Sequence, residues 1–281
     1  MNQRGNDLKQ MRAIACQSRI VWKLVAVLLA LLVVCGVHSQ AAAQEPRQLT
    51  VAAASSVRFA LDEMVRVFKQ ENRGIQVRVT YGSSGNFFAQ LSQQAPFDIF
   101  LSADTVFPRR LVDQGDGLKE SEFLYAVGRI VVWARADSPV QVETLGVRSL
   151  LDPSVNKIAI ANPRHAPYGR AAVEALKSLG VYGQAREKLV LGENVAQAAQ
   201  FVHSGVADIG ILPMSLVMAP AIQQQGRLWQ VPPAAYANID HAGVILRWTL
   251  EREAAERFRD FMFGPKGRAI LRRYGFFLPG E

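Results

Sequence analysis

Leu49-Thr50-Val51-Ala52-Ala53-Ala54-Ser55-Ser56 is the stretch from which the fold of this chain can be read. Leu49 to Ala53 is a short apolar run that reads as a strand, and it ends in small residues and two serines. Val57 to Glu71 follows with Phe59, Met64, Val67 and Phe68 at near-helical spacing. Small side chains let a guest approach the backbone closely. A serine at a helix start either caps the free amides or turns its hydroxyl towards a ligand. This corner is therefore a candidate part of an anion-binding site.

The same strand–turn–helix pattern repeats along the chain. Gln76 to Tyr81 alternates with period two as a strand does, Gly82-Ser83-Ser84-Gly85 is a turn, and a helix is expected over 86–94. Phe97 to Leu101 is another short strand, followed by Ser102-Ala103-Asp104 and a helix over 105–114. The alternation predicts an α/β sandwich with a largely parallel sheet. Phe123 to Ala134 is a longer strand-rich stretch with Gly128 in its middle, suited to carry the chain into a second lobe. Strands are expected over 157–161, 189–191 and 207–212, with helices over 168–179, 194–203 and 215–224. A strand over 240–246 re-enters the first lobe, and helices over 250–263 and 266–274 close the chain. The expected organisation is a first lobe of residues 44–125 and 238–281 and a second of 126–237. Two crossings, near Ala126 and Asn238, join them.

The first 43 residues stand apart. Arg12, Arg19 and Lys23 precede an unbroken apolar run of eleven residues, Leu24 to Val34, and Ala41-Ala42-Ala43 gives a small-residue cleavage pattern. This reads as a secretory signal peptide, because a membrane span needs about 20 apolar residues. A lipoprotein start at Cys35 is disfavoured by the bulk of Val34. Export is expected to place the mature protein in an oxidising compartment, with no membrane insertion after cleavage. Both cysteines, Cys16 and Cys35, fall in the removed segment, so no disulfide or thiol chemistry is expected of the remainder. The segment holds five basic residues and one acidic residue, so the total of +8 falls to +4 in the mature chain. The arginines are scattered and no basic patch is interleaved with aromatics, which argues against nucleic acid as a partner.

Four turns share a character: Ser55-Ser56, Ser83-Ser84-Gly85, Ala166-Pro167-Tyr168-Gly169 and Glu193-Asn194-Val195. Each places unpaired amides and the positive end of a helix at the carboxyl ends of strands, where open α/β sheets bind ligands. No lysine or arginine lies in the turns 52–56 or 82–85, so an oxyanion there would meet neutral donors. Any single serine is read first as a helix cap, and only the combination points to a site. The other chemistries are poorly served. His165, His203 and His241 stand singly without metal-ligand spacing, although His165 lies close enough to the Tyr168 turn to flank a cleft. Asp98 and Asp104 read as braces of a turn, since carboxylates facing an anion would repel it. There is no nucleophile elbow and no phosphate loop with its lysine.

In order and spacing these motifs resemble the periplasmic molybdate-binding proteins of ABC importers, within the type II periplasmic solute-binding family. The markers are Val51 to Ser55, Tyr81 to Gly85, Phe97 to Asp104, Asn162-Pro163 with Tyr168-Gly169, Glu193 to Val195, and the ending Gly264-Pro265 with Arg273 to Phe276. The resemblance implies two α/β lobes that close on tetrahedral molybdate or tungstate, with no further cofactor and no catalysis. It implies hydroxyl and amide donation from Ser55 and Ser84 in the first lobe and amide donation from Tyr168 and Val195 in the second. Ser56 is an adjacent possibility. Molybdenum would be held only as its oxyanion. The implied partner is a membrane ABC permease, and the implied state is a monomer. One position departs from the pattern: Pro213 stands where some members carry a tyrosine whose hydroxyl reaches the anion. The alternatives on this scaffold are a receptor for another oxyanion such as sulfate, and an enzyme, for which no acid, base or nucleophile is placed.

Overall fold

The computed structural model describes residues 47–281; the expected signal peptide and Cys35 lie outside them. Two five-stranded sheets organise the described chain. The first contains β1 (Arg47–Ala54), β2 (Ile75–Gly82), β3 (Ile99–Leu101), β4 (Phe123–Gly128) and β10 (Ile239–Ile245), in the order β2-β1-β3-β10-β4. The second contains β5 (Ile130–Arg135), β6 (Ile158–Ala161), β7 (Leu189–Gly192), β8 (Ile209–Pro213) and β9 (Gly226–Gln230), in the order β7-β6-β8-β5-β9. The chain leaves the first sheet at Gly128, enters the second at Ile130 and returns between Gln230 and Ile239. The architecture is two α/β lobes.

The stretch at 49–54 explains why the first lobe is built around it. Leu49, Val51, Ala52 and Ala53 are fully buried, as a central strand covered on both faces requires. Parallel partners flank β1 on both sides, with Val51 opposite Val79 of β2 and Ile99 of β3. Helix α1 (Arg58–Glu71) buries Ala60, Leu61, Met64 and Phe68, one face at three- and four-residue spacing. Phe68 meets Phe258 and Phe261 edge-on, at 5.1 and 5.5 Å between ring centres. Both belong to α6 (Arg252–Phe263), so the C-terminal helices, α6 and α7 (Pro265–Arg273), seal the lobe that the chain began.

The sheets are mixed rather than largely parallel. β10 runs antiparallel to β3 and β4, and β5 runs antiparallel to β8 and β9. The strands that carry the chain between lobes impose this, because each enters its sheet from the crossing side. The stretch 123–134 is two strands in two sheets, broken at Arg129. The helix expected over 215–224 is confined to Met214–Val217. Pro220 explains the stop: it has no amide to donate, and its ring clashes with a helical carbonyl four residues back. Helix α2 (Ser84–Leu91) begins two residues earlier than expected, which moves Ser84 from the turn into the first helical position. The remaining helices of eight residues or more are α3 (Val106–Asp113), α4 (Pro167–Ser178) and α5 (Val195–His203).

Candidate functional site

The four turns singled out in the sequence line one small cavity between the lobes. Ser55, Ser56, Ser83 and Ser84 form one side, and Tyr168, Asn194 and Val195 form the other. Ala54, Ala103 and Ala166 complete much of the wall, and among the described residues no charged side chain lines it. The room left between them is about 10 Å³, roughly that of one ordered water.

Each turn delivers donors for a local reason. Ser84 occupies the first position of α2, after Ser83 in extended conformation, so its amide has no helical acceptor. Its Oγ accepts a hydrogen bond from the Ala103 amide at 3.0 Å, which leaves the hydroxyl proton for a guest. Ser55 differs, because its hydroxyl donates to the Gly82 carbonyl at 3.1 Å. Its amide remains, at the start of the turn Ser55–Val57. In α4, Pro167 at the first position has no amide, while Gly169 and Arg170 both donate to the Ala166 carbonyl. The Tyr168 amide is thus the first free donor of that helix. In α5, Asn194 caps with its Oδ1, accepting from Ala196 at 3.0 Å and from Gln197 at 3.2 Å. Ala198 donates to the Asn194 carbonyl, so Val195 keeps the one uncommitted amide of the first turn. Three helix N-termini therefore face a space bounded by small residues, an arrangement suited to negative charge.

Contacts between lobes close the rim. Gly85 donates its amide to the His165 carbonyl at 2.9 Å, and His165 Nδ1 lies 3.0 Å from Ser83 Oγ. His165 Nε2 lies 3.6 Å from Glu193, which also accepts from Asn86. A Cβ on Gly85 would come within 2.8 Å of the His165 carbonyl oxygen, so the lobes approach this closely only because residue 85 is glycine.

Behind the cavity lies a buried polar cluster that the sequence does not single out. His241 in β10 is fully buried among the rings of Tyr125, Tyr168 and Phe276. Its Nδ1 lies 3.1 Å from the Ile239 carbonyl, which can only accept, so the proton sits on Nδ1. Nε2 then accepts from the Ser56 hydroxyl at 3.1 Å, with the Tyr168 hydroxyl 3.5 Å away. Burial holds the His241 pKa down at about 4, opposed by the bond to Ile239, and burial pushes the Tyr168 phenol well above its ordinary value. Both stay neutral at ordinary pH. A side chain at Gly128, where the chain changes lobes, would collide with the Tyr168 hydroxyl and His241. Pro213 ends β8 opposite Ile130 and does not line the cavity. Ser215 does not line it either, and its hydroxyl donates across the lobes to the Ser56 carbonyl at 2.7 Å. Asp104 braces its turn, accepting from the Phe107 amide and the Ser102 hydroxyl.

A fold of two α/β lobes closing on a small cleft is that of a solute-binding protein. The bacterial extracellular solute-binding protein family matches residues 49–277, and the chain belongs to it. The molybdate-binding protein ModA of Rhodobacter capsulatus is 38% identical over 73% of this chain and 79% of its own length. That of Azotobacter vinelandii is 34% identical over 88% and 96%. The solved structure of the Azotobacter vinelandii periplasmic molybdate-binding protein superposes with a TM-score of 0.77, covering 82% of this chain and 99% of its own.

Proposed function

We propose that this protein is a periplasmic receptor that captures molybdate, and with it tungstate, between its lobes and hands it to a membrane ABC permease. On this reading Ser55, Ser84, Tyr168 and Val195 are the donors, and the lobes divide near residues 126 and 238. The observation that carries the reading is the convergence of neutral donors from four turns on one small cavity, lined among the described residues by no charged side chain. Such a site selects by size and by hydrogen-bond geometry. An anion that leaves a buried donor unpaired forfeits about 1–3 kcal/mol for that donor. The names of the relatives point to molybdate. Among the described residues no helix is long and apolar enough to cross a membrane, which fits a receptor that meets its permease from outside the bilayer.

Pro213 supports a second reading, a receptor for another oxyanion such as sulfate, because it supplies neither a hydroxyl nor an amide proton. Calorimetric titration of the mature protein with molybdate, tungstate, sulfate and phosphate decides between them. Tight uptake of the first two alone is expected, and tight uptake of sulfate without molybdate favours the second reading.

A further inference from the structure

Asp104 and Arg170 meet across the cleft. Asp104 follows β3 in the first lobe, and Arg170 lies in the first turn of α4 in the second. Arg170 donates to Asp104 Oδ2 at 2.7 Å, with 38% and 13% of the two side chains exposed. The position of the pair matters more than the bond itself. Ala103, next to Asp104, gives its amide to Ser84 Oγ and so orients one donor of the first lobe. Tyr168, two residues before Arg170, is a donor of the second lobe. One ion pair thus ties together the two short segments that present Ser84 and Tyr168 from opposite sides.

The surroundings make the pair unequal. Among the described residues, Arg170 is the one cation lining a cavity of about 190 Å³ whose walls also include Asp104, Glu174 and Asp240. Glu174 follows Arg170 by one helical turn and belongs to the second lobe, whereas Asp104 and Asp240 belong to the first. Without the guanidinium, carboxylates of both lobes would face one another next to a site meant for an anion.

We infer that Asp104 and Arg170 form a clasp that holds the lobes shut over the bound oxyanion and sets the spacing between the Ser84 and Tyr168 donors. The two are positioning residues, and the inference rests on the anion-binding reading of the cavity. The clasp lowers the free energy of the closed state only, so it slows release of the anion more than it speeds capture.

The test is molybdate binding to the mature protein, by calorimetry and by stopped-flow dissociation, in wild type, Asp104→Asn, Arg170→Met and the double variant. The Asp104→Asn change keeps a side-chain oxygen to accept from the Phe107 amide, so the turn stays braced. The expected loss of affinity is about tenfold to a hundredfold for Arg170→Met and about threefold for Asp104→Asn, each carried by faster dissociation. The double variant should be no weaker than Arg170→Met alone, because the two changes remove one interaction. Raising the salt concentration should speed wild-type release but not that of Arg170→Met, where salt instead screens the facing carboxylates. Single variants with wild-type affinity and release rates, or losses that simply add, would overturn the clasp while the reading of the site stands. Absence of any oxyanion uptake by wild type would instead overturn that reading and the clasp with it.

Discussion

Ser84 and Ser55 both line the cavity, but their hydrogen bonds set them apart. The Ser84 hydroxyl already accepts from Ala103 and has only its proton left to give, whereas the Ser55 hydroxyl spends its proton on the Gly82 carbonyl. On the proposed reading Ser84→Ala therefore removes a donor to a charged guest and should cost about 1.5–3 kcal/mol, or roughly tenfold to a hundredfold in affinity. Ser55→Ala leaves its amide in place and should cost less than half as much free energy. Calorimetric titration of the two variants with molybdate checks the ranking, and equal losses would show that Ser55 turns its hydroxyl to the anion.

His241 gives a second residue-scale expectation. Its ring is neutral and buried in the fold and titrates near 6.5 when exposed, against about 4 in place. The unfolded chain thus takes up the proton first as the pH falls. The stability that this difference contributes is complete above about pH 6.5 and is lost as the pH drops towards 4. It amounts to about 3 kcal/mol when fully expressed. Urea unfolding at stepped pH should show this acid limb in wild type and a flatter one in His241→Gln. Parallel limbs would contradict the placement of the ring.

At the scale of elements, three helix starts and one short turn do the positioning, and Gly85 sits where one of them touches the other lobe. Alanine is ordinarily favourable over glycine by about 0.5–1 kcal/mol in the middle of a helix, and by less at the second helical position, which Gly85 occupies. Here the added Cβ meets the His165 carbonyl only when the lobes are closed. Gly85→Ala should therefore leave the melting temperature of the ligand-free protein unchanged or raised. It should weaken anion binding by about tenfold to a hundredfold through overpacking at the rim. Scanning calorimetry together with titration separates the two effects. A variant that binds as tightly as wild type would mean the rim can relax.

Much of this architecture is legible in the residues themselves. The order of strands and helices follows from runs such as Leu49 to Ala53 and from the spacing of Met64 and Phe68. Two of the four turns follow from small residues and serines where strands meet helices, and the other two, Ala166 to Gly169 and Glu193 to Val195, from their place at the start of a helix after a strand. What the sequence does not reveal depends on pairings across long separations. Nothing local to Asp104 marks Arg170 as its partner across the lobes, and nothing local to His241 marks Ser56 and Tyr168 as its neighbours. The mixed character of the sheets is hidden for the same reason, since strand direction depends on where the chain crosses rather than on composition. The start of α2 reads two residues late because Ser84 and Gly85 have the chemistry of a turn, although both lie inside the helix.

At the scale of the molecule, two sheets meet along a cleft crossed by apolar packing, as of Ala54, Ala103 and Phe59 against the second lobe, and by a ring of polar contacts. Gly85 to His165, Ser83 to His165, Asn86 to Glu193 and Arg170 to Asp104 surround the cavity, while Ser215 to Ser56 lies behind it. On the proposed reading an open arrangement exchanges the polar contacts for water, and the bound anion favours the closed one. The central claim is that the guest is a tetrahedral molybdate-class oxyanion held by neutral donors. Competition calorimetry on the mature protein tests it most directly: molybdate is titrated first alone and then in the presence of about a hundredfold excess of sulfate. The account predicts one molybdate per chain with an affinity that the sulfate leaves essentially unchanged. Tight binding of sulfate with no heat from molybdate would contradict it.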